Sequence, residues 1–425
     1  MLEPMKVLVV GKGGREHAII TALNESPTET EIYSFPGSDA IFQIAKPTTA
    51  TDLPSLIDFL VENKIDLCVA GEESYLVTGE GLANACERVG IPCWGPPREA
   101  AQLEASKEFA KEFMVRHAIP TGGYAAVNDL DAAREAIAGK YPTVLKFDGL
   151  AAGKGVAVCP DEASAEEFLD EVLVQRKFGE GRLLVEEFLT GPEISIFVSV
   201  VDGAYQILAP ARDYKRIYDA DEGPNTGGMG AVSSLEMFET EGENLKERIE
   251  TEIVRPTVEG LRKDGLPYRG FLYFGIMLTP DGPKILEYNC RFGDPEAQAV
   301  LPMITGDFAK YVFEGAKGTL QPYLIGFLEG WSICLVSASA GYPASSRSGD
   351  VIRGFDQVEN ARVYHAGTRL NDDGEFETAG GRVYVVVARG ETRAEAVKNV
   401  YRESDKVSFD GMQRRSDIGT RNFES

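Results

Sequence analysis

The chain has 425 residues, 43% of them hydrophobic, which is too long for one ordinary core and predicts two to four domains. Its formal net charge is −24 and no basic block offsets the acidic residues, so we expect no nucleic-acid partner. The six cysteines form no C-x-x-C pair and the three histidines are far apart. This pattern favours free thiols in a reducing cytoplasm over disulfides or a local metal cluster. No apolar run of about eighteen residues and no signal-peptide pattern occurs, so we expect a cytoplasmic protein without a membrane contact.

Short apolar runs alternate with helical patterns over about the first hundred residues. The runs KVLVV, EIYSF, DLCVA and IPCWG are typical of strands, and helical patterns lie at 54–63 and 79–89. This alternation predicts a doubly wound parallel sheet. A glycine-rich turn, GKGGREH at 11–17, follows the first strand. Glu16 occupies the third glycine position of a dinucleotide fingerprint, which argues against that fingerprint. Two interpretations of the turn remain: an anion-binding site at a helix N-terminus, or a tight turn that needs small residues.

The rest of the chain divides by pattern into three stretches. A helix is predicted at 97–117, followed by a compact α+β unit at 124–195. Residues 194–320 contain two long strands, FLYFGIMLT and KILEYN, that we expect to pair, and the last hundred residues read mainly as strands. We therefore predict an N-terminal α/β domain at 1–104, a central domain at 105–320 that includes a small lid at 124–195, and a C-terminal, mainly β domain at 325–425.

A lysine and three glycines mark the loop KFDGLAAGKGVAVC at 146–159. The spacing of Gly149, Gly153 and Lys154 is one residue short of a Walker A loop, and an apolar strand follows instead of a helix. A glycine loop between two antiparallel strands forms a flap whose N–H groups can cover a triphosphate, with Lys146 as a fixed positive charge. The alternative is an ordinary glycine hairpin with a solvated lysine.

A candidate metal site lies in KILEYNCRFGDPE. Glu287 and Asn289 stand two residues apart on a predicted strand, so both side chains face the same side. A carboxylate and an amide oxygen are ligands that suit Mg²⁺ together with nucleotide phosphates. The alternative is the polar face of an edge strand, but the dense run of functional side chains that follows favours the metal.

Two further segments have the composition of ligand-binding loops. In RLLVEEFLTGPEIS, backbone groups from Glu187 to Leu189 could pair with an adenine edge and Glu193 could accept ribose hydroxyls, although an acidic turn gives the same pattern. In ARDYKR and GPNTGGMG, Asp213 and Lys215 precede a loop made almost entirely of small residues. Such a loop costs conformational entropy to order, which ligand contact explains better than packing.

These motifs, taken together and in order, resemble the ATP-grasp superfamily and, within it, the phosphoribosylamine–glycine ligase (glycinamide ribonucleotide synthetase) family. The matching segments span nearly the whole chain: VGKGGREHA, AQLEASKEFAKEFM, KFDGLAAGKGV, VEEFLTGPEIS, GPNTGGMGA, GFLYFG, EYNCRFGDPE, DVIRGF, VYHAGT and GGRV. The resemblance implies an ATP-grasp fold with ATP held between the lid and the central domain.

The resemblance also implies roles for individual residues. Contacts to ATP are implied for Lys107, Lys146, Gly149, Gly153, Lys154, Gly155, Glu186, Glu187, Phe188, Leu189 and Glu193. Metal ligation is implied for Glu287 and Asn289, and catalytic roles for Arg291, Asp213 and Lys215. Substrate contacts are implied for Gly13, Gly14, Glu73, Asn225, Thr226, Gly228, Met229 and Asp294.

The implied reaction joins glycine to 5-phospho-β-D-ribosylamine at the expense of ATP, with Mg²⁺ or Mn²⁺, through an acyl phosphate. The implied partners are these small molecules, and the chain is expected to be a monomer. The alternatives are another ATP-grasp ligase, such as a biotin carboxylase-type subunit, and a non-catalytic ATP-binding regulator. Three residues depart from the family pattern: Glu72 stands in place of a proline, and Arg212 and Tyr214 stand in place of glutamine and histidine.

Overall fold

The computed structural model describes residues 3–149, 155–240 and 244–420. The predicted site residues Gly153 and Lys154 lie outside these ranges. None of the helices in the described ranges is long and apolar enough to cross a membrane.

The N-terminal unit is a parallel sheet with helices on both faces. Its elements are β1 (Met5–Gly11), α1 (Gly14–Asn24), β2 (Thr30–Pro36), β3 (Lys46–Pro47), α2 (Leu53–Glu62), β4 (Leu67–Ala70), α3 (Ser74–Val77), α4 (Leu82–Arg88) and β5 (Cys93–Trp94). The strand order is β3-β2-β1-β4-β5, and every pairing is parallel. Alternate residues of β1 enter two cores, since Val7 and Val9 pack with α1 whereas Leu8 and Val10 pack with α2 and α4. The predicted doubly wound sheet is confirmed.

Two helices connect this unit to the rest of the chain. They are α5 (Gln102–Ala105) and α6 (Lys107–Arg116), where the sequence pattern predicts one helix over 97–117. The helix breaks because Ser106 is extended, with φ −127° and ψ 115°, and its hydroxyl accepts a hydrogen bond from the N–H of Phe109 as the N-cap of α6. The break separates Glu104 from Lys107, and both side chains line the cleft described below.

The lid is a small four-stranded antiparallel sheet with its own core. Its elements are β6 (Tyr124–Val127), α7 (Leu130–Ile137), β7 (Thr143–Phe147), β8 (Val156–Cys159), α8 (Glu162–Leu169) and β9 (Leu183–Glu187). The strand order is β6-β9-β7-β8, and Lys146 of β7 pairs with Val156 of β8. The predicted glycine loop therefore does connect two antiparallel strands, as a flap requires.

The central and C-terminal parts share one eight-stranded antiparallel sheet. The central elements are β10 (Glu193–Val201), β11 (Ala204–Asp213), β12 (Arg216–Tyr218), β13 (Glu222–Asn225), β14 (Gly230–Ser233), α9 (Met237–Thr240), α10 (Leu245–Ile249), α11 (Arg255–Lys263), β15 (Arg269–Thr279), β16 (Gly282–Asn289), α12 (Glu296–Val300), β17 (Ile304–Gly306), α13 (Phe308–Ala316) and β18 (Ile325–Phe327). The C-terminal elements are β19 (Trp331–Ala338), β20 (Arg362–His365), β21 (Thr368–Leu370), β22 (Phe376–Thr378), β23 (Arg382–Gly390) and α14 (Arg393–Ser404).

The order of this sheet is β16-β15-β10-β11-β14-β19-β23-β20. The predicted pairing of the two long strands is confirmed by the β15–β16 hairpin, which places Glu287 and Asn289 on an edge strand. β14 pairs with β19, so the sheet continues across the predicted boundary between the central and C-terminal domains. The C-terminal strands thereby bring Arg382 to the same cleft as the lid and the N-terminal unit.

Candidate active site

A cleft of about 490 Å³ lies where the N-terminal unit, the lid, the central sheet and the C-terminal strands meet. Fourteen of the predicted site residues line it, and they come from the N-terminal unit, α6, the lid and the central part of the chain. They are Gly13, Glu73, Lys107, Lys146, Gly149, Gly155, Glu186, Asp213, Lys215, Thr226, Glu287, Asn289, Arg291 and Asp294. The fold therefore gathers residues that are up to 281 positions apart in the sequence, from Gly13 to Asp294.

Lys146 and Glu186 of the lid and Lys111 of α6 form a charged cluster in the cleft. Lys146 and Lys111 both pair with the same oxygen of Glu186, at 3.1 and 2.9 Å. Although burial opposes its charge, the two lysines hold the pKa of Glu186 below its usual value. The second oxygen of Glu186 is buried and has no hydrogen-bond partner in the described structure. A buried acceptor without a partner in a nucleotide-sized cleft is a suitable contact for a ligand donor group.

Lys107 holds the start of the glycine loop. Its ammonium donates to the carbonyl of Gly149 at 2.9 Å, and its backbone N–H donates to the carboxylate of Asp148 at 2.6 Å. Burial lowers the pKa of Lys107. The side chain thus lies between the N-terminus of α6 and the loop that the sequence predicts to cover phosphates.

The edge strand β16 presents the two predicted metal ligands to the cleft. Glu287 and Asn289 both line it, as their spacing on one strand predicts. The Asn289 orientation that satisfies its neighbours is the one in which its amide nitrogen donates to Glu104 Oε1 at 3.0 Å and to the carbonyl of Tyr288 at 3.2 Å. The carboxylate of Glu287 and the amide oxygen of Asn289 are hard oxygen donors, so this pair fits a magnesium or manganese ion that is also bound by nucleotide phosphates.

Arg291 lies at the centre of a network that joins β16 to the N-terminal unit. It donates to Glu73 at 3.1 Å through Nε and pairs with Glu104 at 2.6 Å through Nη2. Arg15 lies 3.6 Å from the same oxygen of Glu73. Burial opposes the charge of Glu73, but the two arginines outweigh it and lower the pKa of Glu73 to about 2. The network fixes one guanidinium at the floor of the cleft.

The predicted anion site at the first helix is filled by a side chain of the same helix. The N–H of Gly13 donates to Glu16 Oε2 at 2.7 Å, and the other oxygen of Glu16 pairs with Arg15 at 2.6 Å. Gly13 still lines the cleft, whereas Gly14 faces Gln298, whose amide nitrogen would lie 2.8 Å from a Cβ at that position. The turn at Gly11 to Gly14 therefore serves both close packing and the cleft wall.

A second cluster of acidic and basic groups surrounds Lys215, at the end of β11. The ammonium of Lys215 donates to Glu193 at 2.6 Å. Burial opposes the charge of Lys215, but Asp213 and Glu193 outweigh it and raise the pKa of Lys215 well above its usual value. Burial raises the pKa of Asp213 to about 7. Glu296 is buried nearby and accepts a hydrogen bond from Ser195 at 3.1 Å.

The small-residue loop is held from the C-terminal strands. Arg382 donates to the carbonyl of Gly227 at 2.6 Å and pairs with the Asp294 carboxylate at 3.0 Å. Gly228 has φ +109°, and a Cβ there would lie 2.4 Å from Cδ of Pro295. Glycine is required at this position because its backbone conformation and the approach of Pro295 both exclude a side chain.

Several predicted residues lie outside the cleft lining. Phe188 is exposed, Leu189 and Met229 are buried, and the carboxylate of Glu187 accepts from the N–H of Gly123 at 3.0 Å. The others that do not line the cleft are Gly14, Glu193, Asn225 and Gly228. The contacts predicted for Glu187 to Leu189 involve backbone groups and remain predictions.

Several charged cleft residues were not predicted from the sequence, among them Arg15, Glu104, Lys111, Glu296 and Arg382. Lys111 could have been found, because it stands four residues after Lys107 on one helix face. Glu104 could not, since its contact with the N–H of Cys290 spans 186 residues. Arg382 likewise reaches the cleft only because β23 joins the central sheet.

The three departures from the family pattern have different surroundings. Glu72 lines the cleft, and Ser74 donates to its carboxylate at 2.8 Å. Tyr214 is buried away from the cleft lining, where its hydroxyl accepts from the N–H of Gly419 at 3.1 Å. Arg212 donates to the carbonyl of Glu193 at 2.7 Å. The substitution at Glu72 is therefore the one of the three that changes the cleft wall.

The fold and the cleft define an ATP-grasp protein, with a lid and a central antiparallel sheet on two sides of a lysine-lined site. Comparison with protein families agrees over most of the chain. Residues 5–104, 105–297 and 332–421 match the N, ATP-grasp (A) and C domains of phosphoribosylglycinamide synthetase. The chain belongs to the phosphoribosylglycinamide synthetase family.

Individual relatives give the same result. A phosphoribosylamine–glycine ligase of Caldanaerobacter subterraneus subsp. tengcongensis is 42% identical over 419 residues, which covers 97% of this chain and 99% of that protein. The crystal structure of phosphoribosylamine–glycine ligase from Thermotoga maritima is 32% identical, with a TM-score of 0.83 and coverage of 97% and 100%. The crystal structure of a biotin carboxylase–β-γ-ATP complex from Campylobacter jejuni has a TM-score of 0.72 at 17% identity and coverage of 98% of this chain and 94% of that chain, which shows a shared fold alone.

Proposed function

We propose that this protein ligates glycine to 5-phospho-β-D-ribosylamine with the conversion of ATP to ADP and phosphate, giving glycinamide ribonucleotide. The observation that carries the proposal is that one cleft contains the lysine cluster, the Glu287–Asn289 pair and the Arg291 network. Family membership agrees, because its relatives over the full chain are named phosphoribosylamine–glycine ligase.

The lysines and the glycine loop form the ATP end of the cleft. Lys107 and Lys146 supply positive charge beside the loop, and Glu186 presents an unpaired buried oxygen. These groups hold the nucleotide and reduce the charge that builds up on its phosphates. Glu287 and Asn289 would hold Mg²⁺ or Mn²⁺, which when bound neutralises phosphate charge and orients the terminal phosphoryl group.

The opposite side of the cleft holds the acceptor substrates. Arg291 and Lys215 line the cleft and offer charged N–H donors to the glycine carboxylate and to the phosphate of phosphoribosylamine. One carboxylate oxygen of glycine attacks the terminal phosphorus of ATP, the bond from that phosphorus to the bridging oxygen of ADP breaks, and glycyl phosphate forms. The amine of phosphoribosylamine then attacks the carbonyl carbon, phosphate leaves, and the amine proton passes to a base in the cleft or to the leaving phosphate.

The residues act mainly by position and charge. No nucleophilic side chain is needed, because the substrate carboxylate and amine are the nucleophiles. The contribution of the cleft is to exclude water from the acyl phosphate and to align the two reacting atoms. We also propose that the protein works as a cytoplasmic monomer, which light scattering on the purified chain would test.

Omission of single substrates tests this function. Purified protein is incubated with ATP, Mg²⁺, glycine and phosphoribosylamine, made by mixing ribose 5-phosphate with ammonia, and ADP release is followed. We expect release with all components, and a loss of at least about tenfold when glycine or phosphoribosylamine is left out. ADP release that needs bicarbonate and biotin instead would contradict the proposal, and no release under any condition would favour a non-catalytic ATP-binding role.

A matched pair of lysine variants locates the reaction in the cleft. Lys146→Met removes a cleft ammonium, whereas Lys177→Met removes an exposed one that pairs with Glu171 at 2.7 Å. We expect the first variant to lose most of its ADP release and the second to retain it. Equal activity of the two variants would place ATP elsewhere on the protein.

A further inference from the structure

The carboxylate of Glu104 contacts the end of β16, the strand that carries Glu287 and Asn289. It belongs to α5, but its side chain is only 7% exposed and faces the end of β16. Its Oε2 accepts from the N–H of Cys290 at 2.6 Å. Its Oε1 accepts from Arg291 at 2.6 Å and from the amide nitrogen of Asn289 at 3.0 Å. Two oxygens thus receive three donors from three consecutive residues.

This arrangement determines which atom of Asn289 is available to a cation. The amide nitrogen is directed to Glu104 and to the carbonyl of Tyr288, both of which accept. The opposite orientation would place the amide oxygen against those same two acceptors, which is unfavourable in a buried site. The amide oxygen is therefore left for the cleft, and an amide nitrogen there would repel a cation.

The geometry points to Glu104 as a positioning residue for the metal site and for Arg291. It orients the Asn289 amide so that its oxygen serves the cation, and it holds the Arg291 guanidinium at the cleft floor. The inference rests on the proposed function in placing a metal–nucleotide complex at Glu287 and Asn289. It concerns metal binding, so it is testable without the ligation reaction.

Exchanging the acid at position 104 and the amide at position 289 distinguishes a positioning role of Glu104 from an effect of its charge alone. In Glu104→Gln one of the two acceptor oxygens becomes an NH₂ group, so the side chain can no longer accept from Asn289, Cys290 and Arg291 together, and its hold on the Asn289 amide is weakened. In Asn289→Asp a second carboxylate approaches Glu104. In the double variant the new amide can donate to the new carboxylate, which restores one hydrogen bond of the original pair in reverse.

Mn²⁺ binding to the protein saturated with a non-hydrolysable ATP analogue is the readout, measured by titration calorimetry and by the Mn²⁺ electron paramagnetic resonance signal. We expect Glu104→Gln to weaken Mn²⁺ binding by about tenfold or more, as loss of an orienting partner typically does. Asn289→Asp changes the Mn²⁺ affinity by some factor in each background. We expect this factor to be about tenfold more favourable in the Glu104→Gln background than in the native protein. Glu99→Gln, on the exposed segment before α5, is the control and should leave Mn²⁺ binding unchanged.

The same set of single and double variants gives the outcomes that would overturn the inference. Unchanged Mn²⁺ affinity in a folded Glu104→Gln variant would do so. An effect of Asn289→Asp that is equal in both backgrounds, within about twofold, would show that the two sites are not coupled. If Glu104→Gln fails to fold and the double variant also fails, Glu104 serves folding and the inference is wrong. If the double variant folds and binds Mn²⁺ where Glu104→Gln does not fold, the coupling is supported. Failure of the ligation assay with the predicted Mn²⁺ coupling intact would instead reject the proposed reaction.

Discussion

Two buried histidines join the N-terminal unit to the C-terminal strands, and they predict how stability depends on pH. His17 lies on α1 and His365 ends β20, and their rings stack with centroids 5.7 Å apart. The backbone N–H of His365 donates to Nδ1 of His17 at 3.0 Å, which requires that nitrogen to be unprotonated. Burial lowers the pKa of His17 to about 4 and that of His365 to about 3. Both rings are therefore neutral in the folded protein near neutral pH.

The direction of the pH dependence follows from proton binding by the folded and the unfolded protein. Below the ordinary pKa of 6.5 the unfolded chain takes up protons on both histidines while the folded protein does not, so acid favours unfolding. As the pH falls from 6.5 to about 5, each histidine lowers the free energy of unfolding by about 1.6 kcal/mol, since one pKa unit corresponds to about 1.4 kcal/mol. The pair therefore costs about 3 kcal/mol over this window. The figure changes by less than about 0.1 kcal/mol for any folded pKa below about 4.

His17→Asn tests this account with little change in shape. The amide oxygen of asparagine can take the place of Nδ1 as the acceptor for the His365 N–H, but it does not titrate. We expect the free energy of unfolding of the variant to fall by about 1.6 kcal/mol less than that of the native protein between pH 6.5 and about pH 5. Urea unfolding followed by tryptophan fluorescence at the two pH values measures the difference.

Comparing the native protein with His17→Asn cancels the contributions of the other titrating groups. Asp213 has a pKa raised to about 7, so it adds stability as the pH falls, but it does so equally in both proteins. Equal losses of stability by the native protein and by His17→Asn would refute the reasoning, because they would mean that His17 is not buried as a neutral ring.

Other changes test the nucleotide site and the small-residue loop. Glu287→Gln should keep a near-native melting temperature and lose at least about tenfold in turnover at saturating Mg²⁺; equal turnover would remove Glu287 from the site. Lys146→Met leaves Glu186 with one of its two lysines, so we expect a loss of about 2 kcal/mol on thermal unfolding and a higher KM for ATP; an unchanged KM would contradict the role. Gly228→Ala should lose at least about 2 kcal/mol on urea unfolding, because its φ is +109° and the new Cβ meets Pro295; a loss below about 0.5 kcal/mol would be contrary to this packing.

Local patterns predicted the elements that carry the chemistry. The two-residue spacing of Glu287 and Asn289 predicted that both side chains share one face of a strand, and both do line the cleft. The apolar run after the glycine loop correctly indicated a strand, which distinguished a flap from a Walker A loop. In both cases the deciding contacts lie within a few residues along the chain.

Tertiary contacts decided what the sequence could not show. The helix predicted over 97–117 is broken, because Ser106 caps α6 and its helical neighbours gave no sign of this. The contact of Glu104 with Cys290 spans 186 residues, and Arg382 reaches the cleft only through the shared eight-stranded sheet. The N–H of Gly13 is bound by Glu16 of its own helix, which a glycine-rich turn alone does not reveal.

The central claim is that the glycine carboxylate attacks the terminal phosphorus of ATP, and isotope transfer tests it most directly. The reaction is run with glycine that carries ¹⁸O in both carboxylate oxygens, and the released phosphate is analysed by mass spectrometry. Because one carboxylate oxygen bridges carbon and phosphorus in glycyl phosphate, breaking the carbon–oxygen bond leaves that oxygen on phosphorus. We predict one ¹⁸O atom in each phosphate released, with ADP as the nucleotide product. Unlabelled phosphate with normal product formation, or release of AMP and pyrophosphate, would contradict the account.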